Sequence, residues 1–257
     1  MADQHVLELN EVVKRFGGLT AVDHVGFSVR KGQIKALIGP NGAGKTTVFN
    51  LVTGVYGLDD GEIRLAGARA NGLPSHHIAS LGVARTFQQV ELFANMSVLE
   101  NVMVGAHRQS NSGLVSCALR SRRMRAQEGR LAERARDCLK LVGLDVVAPG
   151  AEARSLSFGQ QRLLEVARAL AADPMLLLLD EPAAGLSSAE SARLGELVER
   201  IRELGVTVLV VDHDMDLVMR ISDEVVVLDH GVKIAEGSPR AVQRDPKVIA
   251  AYLGEEI

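Results

Sequence analysis

Hydrophobic positions alternate along the first part of the chain and stop alternating later. Leu7, Leu9 and Val12-Val13, and then Val25, Phe27 and Val29, stand among polar neighbours, the pattern of short strands with one covered face. Phe16-Gly17-Gly18-Leu19 between them reads as a turn. The next apolar segment, Ile34 to Ile38, runs into Gly39-Pro40-Asn41-Gly42-Ala43-Gly44, and a helix-favouring stretch starts at Lys45. Glu62 to Leu65 predicts a further strand.

From about Gln88 to Ala172 the pattern turns helical, over Val98 to Val104, Arg120 to Leu141 and Gln160 to Ala172. Beyond it, Met175 to Leu179, Val206 to Val211 and Val225 to Leu228 are short apolar runs without alternation. Such runs fit parallel strands covered on both faces. Ser188 to Leu204 predicts a helix between two of them, and Gly231-Val232-Lys233-Ile234 a hairpin return. The expectation is an α/β core interrupted by a mostly helical insertion.

A chain of 257 residues can hold one large domain or two small ones. With 47% hydrophobic and 24% charged residues it has the balance of a folded soluble chain rather than a disordered one. Its 29 basic and 32 acidic residues leave a net charge of -3, which argues against a strongly basic nucleic-acid scaffold. Cys117 and Cys138 have no paired-ligand spacing, so neither a disulfide framework nor a structural zinc site is expected, and a reducing cytosol suits them. His76-His77 has no partner at metal-ligand spacing and reads as a surface loop. No apolar run reaches the roughly 18–20 residues that cross a bilayer, and Met1-Ala2-Asp3-Gln4-His5 lacks the layout of a secretory signal. Any work at a membrane is expected from outside the lipid.

Gly39-Pro40-Asn41-Gly42-Ala43-Gly44-Lys45-Thr46 fits G-x-x-x-x-G-K-[ST] throughout. Glycines let backbone N–H groups converge on phosphate oxygens with no Cβ in the way. The helix that follows directs its positive end at the same anion. Lys45 adds a mobile charge toward the β- and γ-phosphates, and Thr46 offers a hydroxyl to Mg²⁺. Leu176-Leu177-Leu178-Leu179-Asp180-Glu181-Pro182 then ends a buried strand in two adjacent acids. Asp180 can hold Mg²⁺ through its water shell at the strand's carboxyl end. Glu181 can orient or deprotonate an attacking water. Both acids could instead cap the turn that Pro182 forces.

A phosphate loop alone fits kinases, GTPases and motors. Leu156-Ser157-Phe158-Gly159-Gln160-Gln161-Arg162 resembles the signature of the ABC ATPases, usually L-S-G-G-Q, with Phe158 in place of the first glycine. As an isolated string it could equally be an ordinary N-cap, Ser157 bonding into the next helix. Further matches occur in family order: Phe87-Gln88-Gln89 at the Q-loop, Val211-Asp212-His213-Asp214 at the switch histidine, Phe16 at the adenine-stacking aromatic, and Ala184-Gly185-Leu186-Ser187 at the D-loop, where Ser187 replaces the usual Asp or Asn. A turn or core role for Phe16 remains open beside this.

The resemblance implies a P-loop NTPase (RecA-like) core, an N-terminal antiparallel β subdomain and a helical ABC-specific subdomain. As one ABC ATP-binding domain over 1–257, it would place the β subdomain and nucleotide core in 1–87 and 173–257, and the helical subdomain in 88–172. It implies ATP and Mg²⁺ as ligands. Phe16, Gly39, Pro40, Asn41, Gly42, Ala43, Gly44, Lys45, Thr46, Thr47, Gln88, Asp180, Glu181 and His213 of one subunit would face Ser157, Gly159 and Gln160 of another. Lys45, Gln88, Glu181 and His213 would act in hydrolysis, and Thr46, Gln88 and Asp180 at the metal.

The chain is similar, more closely, to the ATP-binding subunit of Liv-type branched-chain amino acid importers. That similarity rests on Lys14-Arg15-Phe16-Gly17-Gly18-Leu19-Thr20-Ala21-Val22, Ala84-Arg85-Thr86-Phe87-Gln88-Gln89, Glu91-Leu92-Phe93, Met96-Ser97-Val98-Leu99-Glu100-Asn101-Val102, the long stretch from Ala106 to Arg130, and the tail Ala250-Ala251-Tyr252-Leu253-Gly254. Departures are Phe158, Ser187 and the variant Pro149-Gly150-Ala151-Glu152-Ala153-Arg154. It implies a peripheral subunit on the cytoplasmic face of the inner membrane, beneath permease subunits, paired with itself or a related ATPase. A solute-binding protein outside would deliver the substrate, and no nucleic acid is expected. Urea or amide import and lipid export remain alternatives within transport. A nucleic-acid or ribosome switch, or a small-metabolite kinase, remain alternatives outside it. The basic run Arg120, Arg122, Arg123, Arg125 reads as an exposed helix face, diluted by Glu128 and Glu133.

Overall fold

The computed structural model describes residues 4–106 and 122–253. The chain divides into two compact units, Met1–Arg85 with Met175–Ile257, and Thr86–Pro174.

In the first unit, β1 (His5–Phe16) and β2 (Leu19–Arg30) are twelve-residue antiparallel strands. With β4 (Asp60–Leu65) and β5 (Ala68–Arg69) they form a four-stranded sheet in the order β2-β1-β4-β5. Val12 and Val13 are both buried although adjacent, because the register shifts between Leu9 and Val12. Glu11 there takes φ 48° and His24 on the facing strand φ 47°. A bulge of this kind re-aims a strand and breaks its period of two.

The second sheet has the order β10-β9-β3-β8-β7-β6. Its strands are β3 (Ile34–Ile38), β6 (Val83–Arg85), β7 (Leu176–Asp180), β8 (Thr207–Val211), β9 (Glu224–Asp229) and β10 (Val232–Gly237). All neighbours are parallel except β9 and β10. Every residue of β3, β7 and β8 is buried, so these strands have no polar face to alternate with. The covered residues of the first sheet, helix α1 (Lys45–Val52) and one face of the second sheet form one core, with Leu9, Phe27, Phe49, Leu37, Leu178 and Leu209 among its members. Lys35 breaks the apolar run of β3 yet is 1% exposed. Its Nζ donates to the Ser28 carbonyl at 2.6 Å and pairs with Glu236 at 2.6 Å and Glu224 at 2.8 Å, so the buried charge is fully answered.

The remaining described helices of this unit are α2 (Ser75–Ser80), α6 (Ser188–Glu203), α7 (Met215–Ile221), α8 (Pro239–Val242) and α9 (Pro246–Leu253). His76 and His77 stand exposed on α2, so the expected surface loop is a short helix instead. Six residues are too few to show a helical period.

The second unit packs α3 (Val98–Ala106), α4 (Arg122–Leu141) and α5 (Phe158–Ala171) against one another. Val98, Val102, Ala135, Leu139, Leu164 and Ala167 of these helices are buried. Cys138 is buried among them, and burial pushes its thiol up from the ordinary value. Helix α4 is described from Arg122 onward. Cys117, Arg120 and most of the long Liv-like stretch lie outside the described residues, as do the side chains of Arg122, Arg123 and Arg125, and Gly254 of the tail. No helix among the described residues is long and apolar enough to cross a membrane.

Candidate functional site

Strands β3, β8 and β7 are neighbours, so the segments that leave their carboxyl ends gather at one edge, where open α/β sheets bind ligands. The glycine loop leaves β3. Gly39 has φ 148° and Gly44 φ 99°, conformations that favour glycine. A Cβ at Gly39 would run into the Leu228 carbonyl, and one at Gly44 would sit 2.5 Å from the Ala21 oxygen. Gly44 is the N-cap of α1 and supplies no side-chain cap, which leaves the first-turn N–H groups aimed outward for an anion. Lys45 is buried, and its Nζ donates to the carbonyls of Gly39 at 2.5 Å and Pro40 at 2.7 Å. Thr46, beside it, is exposed.

Asp180 is the last residue of β7 and 2% exposed. Its Oδ2 accepts from Nη2 of Arg85 at 2.7 Å. Glu181 follows at φ 48°, and its N–H donates to the Val211 carbonyl at 2.7 Å. That turn brings Oε1 of Glu181 within 2.7 Å of Nε2 of His213, which leaves the end of β8. Asp212 is buried before His213; its oxygens accept from the N–H groups of Ala183 at 2.8 Å and Asp214 at 2.9 Å. Burial pushes the Asp212 carboxyl up, opposed by those N–H groups. Asp214 caps α7 by accepting from the Leu217 N–H at 2.9 Å and receives the Ser191 hydroxyl at 2.6 Å. The Ser191 hydroxyl first, then the Leu217 N–H, hold its carboxyl below the ordinary value.

Phe16 closes β1 and is 40% exposed. Its ring meets Tyr56 edge-on, with centroids 5.2 Å apart, and the Lys14 ammonium lies 5.3 Å from its centroid. Asp59 fixes this corner by accepting from the Arg15 N–H at 2.5 Å and from Lys14 at 3.2 Å. The Arg15 N–H first, then Lys14, lower its carboxyl.

Gln88, Ser157, Gly159 and Gln160 belong to the helical unit. Gln88 is exposed, and its backbone is gripped by Arg162 of α5, whose guanidinium donates to the carbonyls of Phe87 and Gln88. Glu165 accepts from the Glu91 N–H at 2.9 Å, and Arg168 donates to the Glu91 carbonyl. Burial raises the Glu165 carboxyl against the Glu91 N–H and the two arginines. Ser157 is the N-cap of α5, in a capping box with Gln160. Its Oγ accepts from the Gln160 N–H at 3.3 Å, which uses a lone pair and leaves the hydroxyl proton to donate elsewhere. Ser187 caps α6 in the same way with Glu190.

The phosphate loop, Asp180, Glu181, His213 and Phe16 thus stand in one unit, and Glu181 and His213 are in contact. Arg85, Asp212 and Tyr56 hold these groups and were not singled out by the sequence. Arg85 lay inside a quoted motif, and Asp212 between a strand end and the histidine.

A strand, glycine loop and helix beside a strand ending in paired acids define a P-loop nucleotide-binding fold. A sequence model described as ABC transporter matches residues 22–184, and one described as branched-chain amino acid ATP-binding cassette transporter matches residues 232–257. The high-affinity branched-chain amino acid transport ATP-binding protein BraF of Pseudomonas aeruginosa is 46% identical over 251 residues, 97% of this chain and 98% of that one. Its counterpart LivG of Escherichia coli is 44% identical over 253 residues, 98% and 99% of the two chains. Among solved structures, the ADP conformation of an ATP-binding cassette of an ABC transporter has a TM-score of 0.84 at 31% identity, covering 97% of this chain and 99% of that chain. A dimeric bacterial ABC transporter cassette has a TM-score of 0.78 at 26% identity, with 91% and 99% covered. The chain belongs to the ABC transporter family, as a nucleotide-binding cassette and ATP hydrolase.

Proposed function

We propose that this cassette powers the import of branched-chain amino acids, seated on the cytoplasmic face of the inner membrane beneath permease subunits. The observation that carries this is the near full-length identity of 46% to BraF and 44% to LivG, joined by the match of residues 232–257 to the branched-chain cassette model. The whole of residues 1–257 serves as one ATP-binding domain. A solute-binding protein outside the membrane delivers the substrate, which never touches this subunit.

The working unit is a pair of cassettes, as in the dimeric relative, formed by two copies or by this chain and a related ATPase. The loop from Gly39 to Gly44 cradles phosphates with its N–H groups, continued by Thr46 and Thr47 at the start of α1, and Phe16 stacks on the adenine. Lys45 exchanges the Gly39 and Pro40 carbonyls for phosphate oxygens. Glu181 orients and deprotonates the attacking water, and His213, 2.7 Å away, steadies the Glu181 carboxylate and meets the γ-phosphate. Ser157, Gly159 and Gln160 of the facing cassette donate to that phosphate. The Thr46 hydroxyl, the Gln88 side-chain oxygen and the Asp180 carboxylate are hard oxygen donors of the kind that suit Mg²⁺. When bound, the ion neutralises charge on the phosphate oxygens. The bridging γ-phosphate favours the paired state, and its loss on hydrolysis lets the halves part.

The test is reconstitution with the permease subunits and the solute-binding protein in vesicles. Leucine, isoleucine and valine should stimulate ATP hydrolysis. Stimulation by urea or an amide alone would leave the ATPase in place and move the substrate elsewhere.

A further inference from the structure

Arg85 ends the edge strand β6, and its side chain is 8% exposed. One arm of the guanidinium, Nη2, donates to Oδ2 of Asp180 at 2.7 Å. The other, Nη1, donates to Oδ1 of Asn50 at 2.7 Å and to Oγ1 of Thr53 at 3.3 Å. Beneath it lies the Phe49 ring, with its centroid 5.5 Å from the guanidinium carbon. Phe49 and Asn50 are residues of α1, and Thr53 is its C-cap. Thr46 precedes Asn50 by four residues on the same helix, so the two share a face.

We propose that Arg85 is a positioning residue for magnesium-bound nucleotide: a planar fork that fixes the Asp180 carboxylate relative to the helix carrying Lys45 and Thr46. This rests on the metal-site roles proposed above for Asp180 and Thr46. A carboxylate on a single side chain can rotate about two bonds, whereas one oxygen held by a guanidinium that is itself tethered to α1 cannot. The planar geometry of arginine makes both attachments at once, and the compact ammonium of a lysine cannot reproduce them.

The experiment titrates the purified chain with a fluorescent ATP analogue, once with Mg²⁺ and once with EDTA. The ratio of the two affinities is the gain that Mg²⁺ confers. In Arg85→Lys and Arg85→Gln that gain should shrink about tenfold or more, while affinity in EDTA stays within about twofold of the parent. Asn50→Ala removes the shorter of the two hydrogen bonds that tether Nη1 to α1, leaving the longer one to Thr53, and should shrink the gain about three- to tenfold, which keeps the test valid should removal of Arg85 impair folding. An unchanged gain in Asn50→Ala, or in the Arg85 variants, overturns the proposal. So does an equal loss of affinity in Mg²⁺ and EDTA, the mark of a merely structural arginine. If the parent chain itself shows no gain, or Thr46→Val does not reduce it, the metal-site assignment fails first and Arg85's role falls with it.

Discussion

Nε2 of His213 lies 2.7 Å from Oε1 of Glu181, across the ends of two neighbouring strands. The contact depends on the backbone of Glu181, which stands at φ 48°. Holding a non-glycine residue there costs about 1–3 kcal/mol, borne because the Glu181 N–H is bonded to the Val211 carbonyl. The turn carries the carboxylate off the line of β7 and toward the loop after β8.

Glu181→Gln keeps the shape of this pair and removes the base. ATP hydrolysis should fall about 10²- to 10⁴-fold, while nucleotide binding stays within a few-fold and paired cassettes accumulate in ATP. Steady-state turnover and light scattering measure both; unchanged turnover would remove Glu181 from the role.

Gly44→Ala places a methyl 2.5 Å from the Ala21 carbonyl at φ 99°. The chain should lose about 1–3 kcal/mol of stability, and nucleotide affinity should fall because the loop can no longer close around phosphate. Urea unfolding and analogue binding report the two effects.

Asp214→Ala removes a helix cap and should cost about 1 kcal/mol at pH 7. Because the Asp214 carboxyl is held below its ordinary value, first by the Ser191 hydroxyl and then by the Leu217 N–H, its contribution is full above the unfolded value of about 4. It is lost as pH falls through the lower folded value. The gap between variant and parent should therefore close below about pH 4; a gap that widens in acid would contradict the assignment.

Ser157→Asp separates the two uses of that side chain. An aspartate caps a helix as well as a serine does, so melting should be little changed. A carboxylate facing the γ-phosphate of the other cassette should abolish ATP-dependent pairing in the Glu181→Gln background. Pairing that survives would confine Ser157 to the cap seen in α5.

The chain's local chemistry was legible in advance wherever it is contiguous. Ile34 to Ile38 feeding a glycine loop needs no distant partner to be recognised, and Asp180-Glu181 marks its own strand end. Arg85 was not legible, because its partner Asp180 is 95 residues away and an arginine ending a three-residue strand has no periodicity. Asp212 was passed over for a similar reason: its meaning comes from the Ala183 N–H it accepts, after a different strand. Val12-Val13 hinted at the bulge in β1, but only the facing strand shows where the register slips. Phe158 occupies a glycine position of the signature; it is 47% exposed with the Arg162 guanidinium 5.3 Å from its ring, so the bulk is accommodated outward.

Lys35 ties three strands to β3 from inside the protein: β2 through a carbonyl, β9 and β10 through carboxylates. An amine-reactive reagent reaches it only when those strands separate together, so its acylation counts concerted openings of this unit and not the breathing of loops. Followed by mass spectrometry over time, that single lysine is a built-in clock for how often this half of the cassette comes apart.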